Sequence, residues 1–358
     1  MQRWWAGSCA AVLLLAVAPA AQQDKIVSKD GKERTARIQS EDFDGLKIAV
    51  EGGSTTIAWK DVDSIRYGSA AKYHEALDAF YSEGPAKALP LLDALAADDK
   101  LRAVLRHGVL YHLGLAQKQQ GNADAAIANF EKLLKDYPRS RYLISVGTNL
   151  LALYVAKGDP GAASKSLDSI LSAARSSGGA GSMQLGIDFL RGRLLEEQKK
   201  YPEAERTFES VASSQADAAL ALSAKLALAR CAQRAGRASD AQRRYREIVV
   251  LDAPNEVLAG AWNGLGDLAL AEASTKRDAE GVRYALFSYL RGAILYLPGR
   301  GESSEEYERA LAGSARAFKA VGELETDGTR KKLFLGRAQE RRQQLAAEFP
   351  RSRFLEGL

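Results

Sequence analysis

The sequence predicts a mainly α-helical solenoid of about seven helix-turn-helix pairs, preceded by a small β-barrel-like module. Three observations predict it. Residues 24–68 hold short β-branched segments separated by glycine turns. From Ser69 onward the apolar period becomes helical and stays so to the end. Within that helical stretch a small residue followed four positions later by a large one returns in phase.

The first twenty residues read as a secretory signal. Arg3 gives a positive start, Ala10 to Ala18 a short apolar core, and Ala18-Pro19-Ala20 small residues for cleavage near Ala20. The core is shorter than the roughly 20 residues a membrane span needs. Cys9 precedes this core, the reverse of the order in an acylated lipoprotein. Cleavage leaves Cys231 as the single cysteine, in an Ala-rich helical context that suits a buried filler. The chain is then expected in a periplasm or outside the cell, with domains at 1–20 (signal), 21–68 (β module) and 69–358 (solenoid).

In the β module, the expected strands are Lys25–Val27, Thr35–Ile38, Leu46–Val50, Thr55–Trp59 and Val62–Tyr67. Asp30-Gly31, Asp44-Gly45 and Gly52-Gly53 mark turns between them. So few residues make a highly curved sheet that leans on the helical part of the chain. Strand and turn spacing resembles the small SH3-like or Sm-like barrels of some secreted bacterial proteins. Eight Lys/Arg against nine Asp/Glu in this segment argue against nucleic-acid binding.

The helical part repeats. Leu113-Gly114, Gly121, Ala126, Phe130 and Pro138 supply a close helix approach, a turn, a tight crossing, a groove filler and a stop. The pair recurs as Ala126/Phe130, Ala163/Leu167, Ala204/Phe208, Ala241/Tyr245 and Ala285/Tyr289, with a weaker first copy at Ala88/Leu92. A glycine five residues before the alanine recurs as Gly121, Gly158 and Gly236, with Lys199 in its place once. Tyr137-Pro-Arg-Ser-Arg-Tyr-Leu143 returns as Phe349-Pro-Arg-Ser-Arg-Phe-Leu355. This unit resembles the tetratricopeptide repeat, W-x2-L-G-x2-Y, then A-x3-F, then P. Spacings exceed that family's 34 residues, so longer helices or turns are expected, including a loop at Ala273–Gly281. Ser176–Ser182 reads as a flexible joint, and the last unit as about Ser303 to Arg353.

Catalytic and metal motifs are missing from the sequence: no HExxH, CxxC or GxSxG occurs. Gly158–Ser166 lacks the glycine that a phosphate loop needs before its lysine, and reads as a repeat turn. His107 and His112 lie five apart, off one helical face, and read as packing or surface residues. No enzyme activity, cofactor or metal is expected. The basic run Arg330-Lys-Lys332, Arg337, Arg341-Arg342, Arg351 and Arg353 reads as the solvated face of the last helix, with Leu333, Phe334, Ala338 and Leu345 inward. The alternative is docking to an acidic surface, a peripheral association with the envelope.

The resemblance implies a concave groove, lined by the first helix of each pair, that binds a peptide or helix of another protein. Carrying the phase across gives Tyr111, Leu115, Thr148, Ala152, Phe189, Arg193, Leu226, Arg230, Asn263 and Asp267 as lining candidates. Tyr111 and Leu115 lack the family's lysine–asparagine carboxylate clamp. Arg193 and Arg230, equivalent in adjacent units, would hold an acidic group unless Glu196 or Glu197 pairs with them. A second reading gives the β module the work of binding a glycan or cell-wall strand, with the repeats driving oligomerisation.

Overall fold

The computed structural model describes residues 23–176, 180–299 and 303–358. The expected signal segment, and residues 177–179 inside the expected joint, lie outside the described residues. Among the described residues six short strands come first: β1 (Asp24–Ser28), β2 (Glu33–Ala36), β3 (Ile38–Asp42), β4 (Gly45–Val50), β5 (Gly53–Ile57) and β6 (Val62–Arg66). They form two three-stranded antiparallel sheets, ordered β2-β1-β6 and β3-β4-β5. The expected strand at Thr35–Ile38 is two strands, because Arg37 is where the chain leaves one sheet for the other. Arg37 still bonds across the corner, accepting from Ala49 N at 2.9 Å.

The module does not close a core by itself. Ile26, Ile38, Leu46 and Ile48 share one buried cluster with Tyr73, Leu92, Leu105 and Val109 of the first helices. Asp24, fully buried, fixes the joint: it accepts from Ile38 N and Gly68 N, each at 2.8 Å, and from both Arg102 guanidinium nitrogens at 2.6 and 2.8 Å. Such a two-pronged, buried arginine–carboxylate pair is geometrically specific.

Fourteen α-helices come next among the described residues. They pair as α1 (Ala71–Asp78) with α2 (Pro85–Ala96), α3 (Ala103–Gln119) with α4 (Ala123–Asp136), and α5 (Leu143–Ala156) with α6 (Pro160–Ser176). Then come α7 (Ala180–Glu197) with α8 (Tyr201–Ala212), α9 (Ala218–Arg234) with α10 (Ala238–Ile248), α11 (Asn255–Lys276) with α12 (Ala279–Ile294), and α13 (Glu305–Leu324) with α14 (Gly328–Glu348). From α5 onward each first helix also packs on the first helix of the next pair, whereas among the described residues α4 and α6 are the one pair of second helices that packs closely. Helices crowded on one side and spread on the other make a curved solenoid, first helices inside and second helices outside.

The recurring pair does what its spacing implies. Ala126/Phe130, Ala204/Phe208, Ala241/Tyr245 and Ala285/Tyr289 are all fully buried, and Ala163/Leu167 nearly so. A β-carbon on Gly114 would stand 2.5 Å from the Phe130 ring, and one on Gly192 would stand 2.5 Å from Phe208. Glycine there is what lets the second helix lie against the first. Between helices, Gly121, Gly158 and Gly236 have φ of 72°, 73° and 78°, and Lys199 takes the same left-handed conformation at 60°.

Two expectations are corrected. Ala273–Gly281 is not a loop: nothing in Asn255–Lys276 breaks a helix, Ala273 packs at 2% exposure, and the turn is only Arg277 and Asp278. Leu333 does not point inward; it is 56% exposed, while Leu345 is fully buried. The duplicated Pro-Arg-Ser-Arg turn folds the same way twice. Ser140 N and Ser352 N donate to Tyr137 O and Phe349 O at 2.9 Å, and Arg141 and Arg353 stack on Tyr142 and Phe354 at 4.8 and 4.9 Å.

Candidate functional site

The inner face divides into an open part and a filled part. In the open part, Thr148 and Ala152 of α5 are exposed one helical turn apart. Tyr111 and Leu115 of α3 and Phe189 and Arg193 of α7 flank them, each half-buried. Tyr111 stacks on Tyr142 with ring centroids 4.3 Å apart, and Phe189 meets Phe208 at 5.6 Å, so both rings are held with one side outward. Arg193 approaches Glu196 at 3.5 Å, and its Nε is buried without a hydrogen-bond partner.

In the filled part the remaining candidates face one another instead of a groove. Leu226 is 4% exposed and packs in the α9–α11 core, and Asn263 has no exposed surface at all. Arg230 of α9 pairs with Glu306 of α13, passing over α11 at Gly260. A β-carbon at Gly260 would lie 3.2 Å from the Arg230 guanidinium and 3.3 Å from the Glu306 carboxyl, so glycine leaves room for the pair. Asn263 Nδ2 donates to Glu306 O and Oε2 at 2.8 and 2.9 Å. Arg309 bridges Glu306, at 3.4 Å, and Asp267, which also accepts from the Tyr289 hydroxyl at 2.6 Å. Burial pushes the Glu306 carboxyl up, but Arg230, Arg309 and the Asn263 bond together hold it below the usual range. Nothing local in the sequence singles out Glu306; its partner Arg230 lies 76 positions away.

The seventh pair reaches back to the second. Lys118 of α3 is exposed yet hemmed in: desolvation lowers its ammonium, while Glu305 and Glu308 of α13 act against that. At the turn after α3, a β-carbon on Gly121 would collide with the Arg351 guanidinium. The inner face is therefore bounded by the α3 side of the first units and by the C-terminal segment.

Under the β module lies a buried polar cluster. His107 Nδ1 is 2.7 Å from Ser140 Oγ and its Nε2 is 3.4 Å from Glu41, which accepts from the Tyr67 hydroxyl and faces Arg141 at 3.6 Å. The order serine–histidine–carboxylate is that of an acyl-transfer triad. Ser140, His107 and Glu41 are 3–4% exposed, so a substrate carbonyl has no path to the hydroxyl. The cluster ties the β module to α3 and to the turn before α5. His112, also buried, shares a hydrogen with the Tyr81 hydroxyl at 3.0 Å and bonds Gly108 O at 2.7 Å. Among the described residues no group of three or more His, Cys, Asp or Glu is placed to hold a metal, and no helix is long and apolar enough to cross a membrane. Cys231 is buried, and burial pushes its thiol up to about 12.

A solenoid of paired helices with this inner face defines the class: a tetratricopeptide-like fold. The tetratricopeptide repeat family model matches residues 109–140, the α3–α4 unit. No curated protein sequence matches the chain. Among solved structures it is similar to a tetratricopeptide repeat protein from Parabacteroides merdae ATCC 43184, at 16% identity and a TM-score of 0.44, over 75% of this chain and 100% of that one. It is also similar to pilF of Pseudomonas aeruginosa (17% identity, TM-score 0.39, 70% and 95% covered). PilW, a type IV pilus biogenesis factor, is alike at 15% identity and a TM-score of 0.40, with 70% and 96% covered. Likenesses this distant carry no argument about what the chain does.

Proposed function

We propose that the chain is a non-enzymatic scaffold of the bacterial cell envelope that binds a peptide or helix of another protein on the inner face of the solenoid. The observation that carries this reading is the open stretch across α3, α5 and α7. There Thr148 and Ala152 are exposed between half-buried Tyr111, Leu115, Phe189 and Arg193. Tyr111 and Leu115 on α3 and Phe189 on α7, around the small Thr148 and Ala152 of α5, suit the apolar face of a short amphipathic segment, while Arg193 already has Glu196 at 3.5 Å. Leu226, Arg230, Asn263 and Asp267 would act indirectly, by holding the curvature. The envelope location rests on the signal-like pattern from Arg3 to Ala20.

The β module, proposed to occupy 21–68 with an SH3-like or Sm-like form, is read as an N-terminal cap of the solenoid at 69–358. Its core runs on into α1–α3, so cutting at residue 68 would expose Ile26, Leu46 and Ile48. The test therefore uses the full chain. A photo-crosslinking residue replaces Thr148 or Ala152, with Lys132 on the outer helix α4 as control, in the native envelope. One protein captured from Thr148 and Ala152 but not from Lys132 is expected. Equal capture at Lys132, or none at the inner positions, refutes the reading.

A further inference from the structure

The outward surface of the last units carries features that a solvated capping face does not need. On α12, Phe287 is 59% and Ile294 55% exposed, and just past its end Leu295 and Leu297 are 62% and 48% exposed. Val250, after α10, is 80% exposed. Asn255 Nδ2, at the start of α11, bonds Leu297 O at 2.9 Å, which sets the ridge on α12 beside the turn between α10 and α11. At roughly 100 Å² apiece Phe287, Ile294, Leu295 and Leu297 match the size of the largest apolar patch that a monomer usually shows. Beside them α14 packs on α13, which packs in turn on α12. α14 carries exposed Lys331, Lys332 and Arg342, which make no ion pair among the described residues, and an exposed Leu333. Of the two carboxylates on α14, Glu340 is already paired with Arg337 at 2.7 Å.

We propose that this outer face, opposite the inner surface assigned above, docks on an anionic lipid membrane. The charge fits: basic residues on α14, together with Arg283 and Arg291 on α12, flank the apolar ridge, and few carboxylates oppose them. The shape fits too. A convex ridge meets a flat, deformable surface along one line, where phenylalanine, isoleucine and leucine enter the headgroup boundary and basic residues stay at phosphate level.

The test is flotation of the full chain with vesicles of phosphatidylcholine alone, or mixed with phosphatidylglycerol, at low and high salt. Binding to the mixed vesicles and release by salt are expected. Lys331→Ala with Lys332→Ala should lower partitioning on the order of 20-fold, since each basic residue near an anionic surface contributes about a factor of five. Phe287→Ser with Leu295→Ser should lower it by about tenfold or more, with unfolding curves unchanged because both residues are exposed. No binding to the mixed vesicles, equal binding to both kinds, or indifference to the Phe287/Leu295 variant overturns the proposal. So does light scattering that shows a dimer in which the ridge is buried.

Discussion

Replacing Glu306 tests how the solenoid holds its curvature. The carboxyl is 4% exposed and faces Arg230, Arg309 and Asn263 from three different helices. Glu306→Gln keeps the shape and removes the charge. Arg309 retains Asp267, but Arg230 is left as a buried cation without its partner. Breaking one half of a buried pair costs about 3–5 kcal/mol, because the surviving charge stays desolvated. Urea unfolding of the full chain, followed by circular dichroism, measures it. Removing both halves, as Arg230→Met with Glu306→Leu, should recover most of that loss, since apolar replacements of a buried pair are often neutral. A Glu306→Gln loss within about 1 kcal/mol, or a double variant no better than the single, would refute the account.

That pair also reaches beyond nearest neighbours. Solenoids are ordinarily held unit to adjacent unit, yet Arg230 and Glu306 belong to the fifth and seventh pairs and meet across the sixth. Releasing them lets α9 and α13 separate, so small-angle scattering of Glu306→Gln should show a larger radius of gyration before any helix is lost.

Three further outcomes are expected. Gly192→Ala drives a methyl into the Phe208 ring and should destabilise by about 1–3 kcal/mol in thermal unfolding, as should Gly114→Ala against Phe130. Lys199→Gly relieves a left-handed lysine and should stabilise by roughly 0.5 kcal/mol, the side-chain strain outweighing the added freedom of the unfolded chain. Burial lowers the His112 imidazole to about 4 from an ordinary value of 6.5. Between those values the unfolded chain binds a proton that the folded one refuses, so stability falls by roughly 1.4 kcal/mol per pH unit on acidification; His112→Gln should abolish that slope. Glu41 and Glu306, both lowered by their partners against the push of burial, lose their contribution only below the ordinary carboxylate range, which separates the two windows.

Much of the fold is legible in the sequence because it is periodic. Ala126/Phe130 and its copies sit i to i+4 on one helix, so local spacing alone places them, and Gly121, Gly158 and Gly236 announce their turns because only glycine enters the left-handed region without strain. Even the exception, Lys199, is located by phase. Whatever joins distant positions is not legible in this way. Asp24 meets Arg102 across 78 residues and Glu41 meets His107 and Arg141, and neither carboxylate differs locally from the other acidic residues of its segment. Phase puts the inner-face candidates on the first helix of each pair, but it does not say whether a neighbour already occupies the space. Asn263 and Arg230 are filled positions because Glu306 reaches them from α13.

The duplicated turn packs against different surroundings in its two copies. Tyr137–Leu143 leads from α4 into α5, with Leu143 fully buried as the next unit begins. Phe349–Leu355 makes the same turn after α14 and runs into a short 3-10 helix at Arg353–Leu355. There Phe354, Leu355 and Leu358 lie against Leu345 and the α13 core, covering apolar surface of the seventh pair. The same segment carries Arg351 to the Gly121 turn and Arg353 to Glu305. The second copy thus covers the seventh pair and brings it up to the second. A partner on the inner face would then meet a bounded trough open mainly at α3, α5 and α7, which favours a segment of a few helical turns over a long chain running the length of the solenoid.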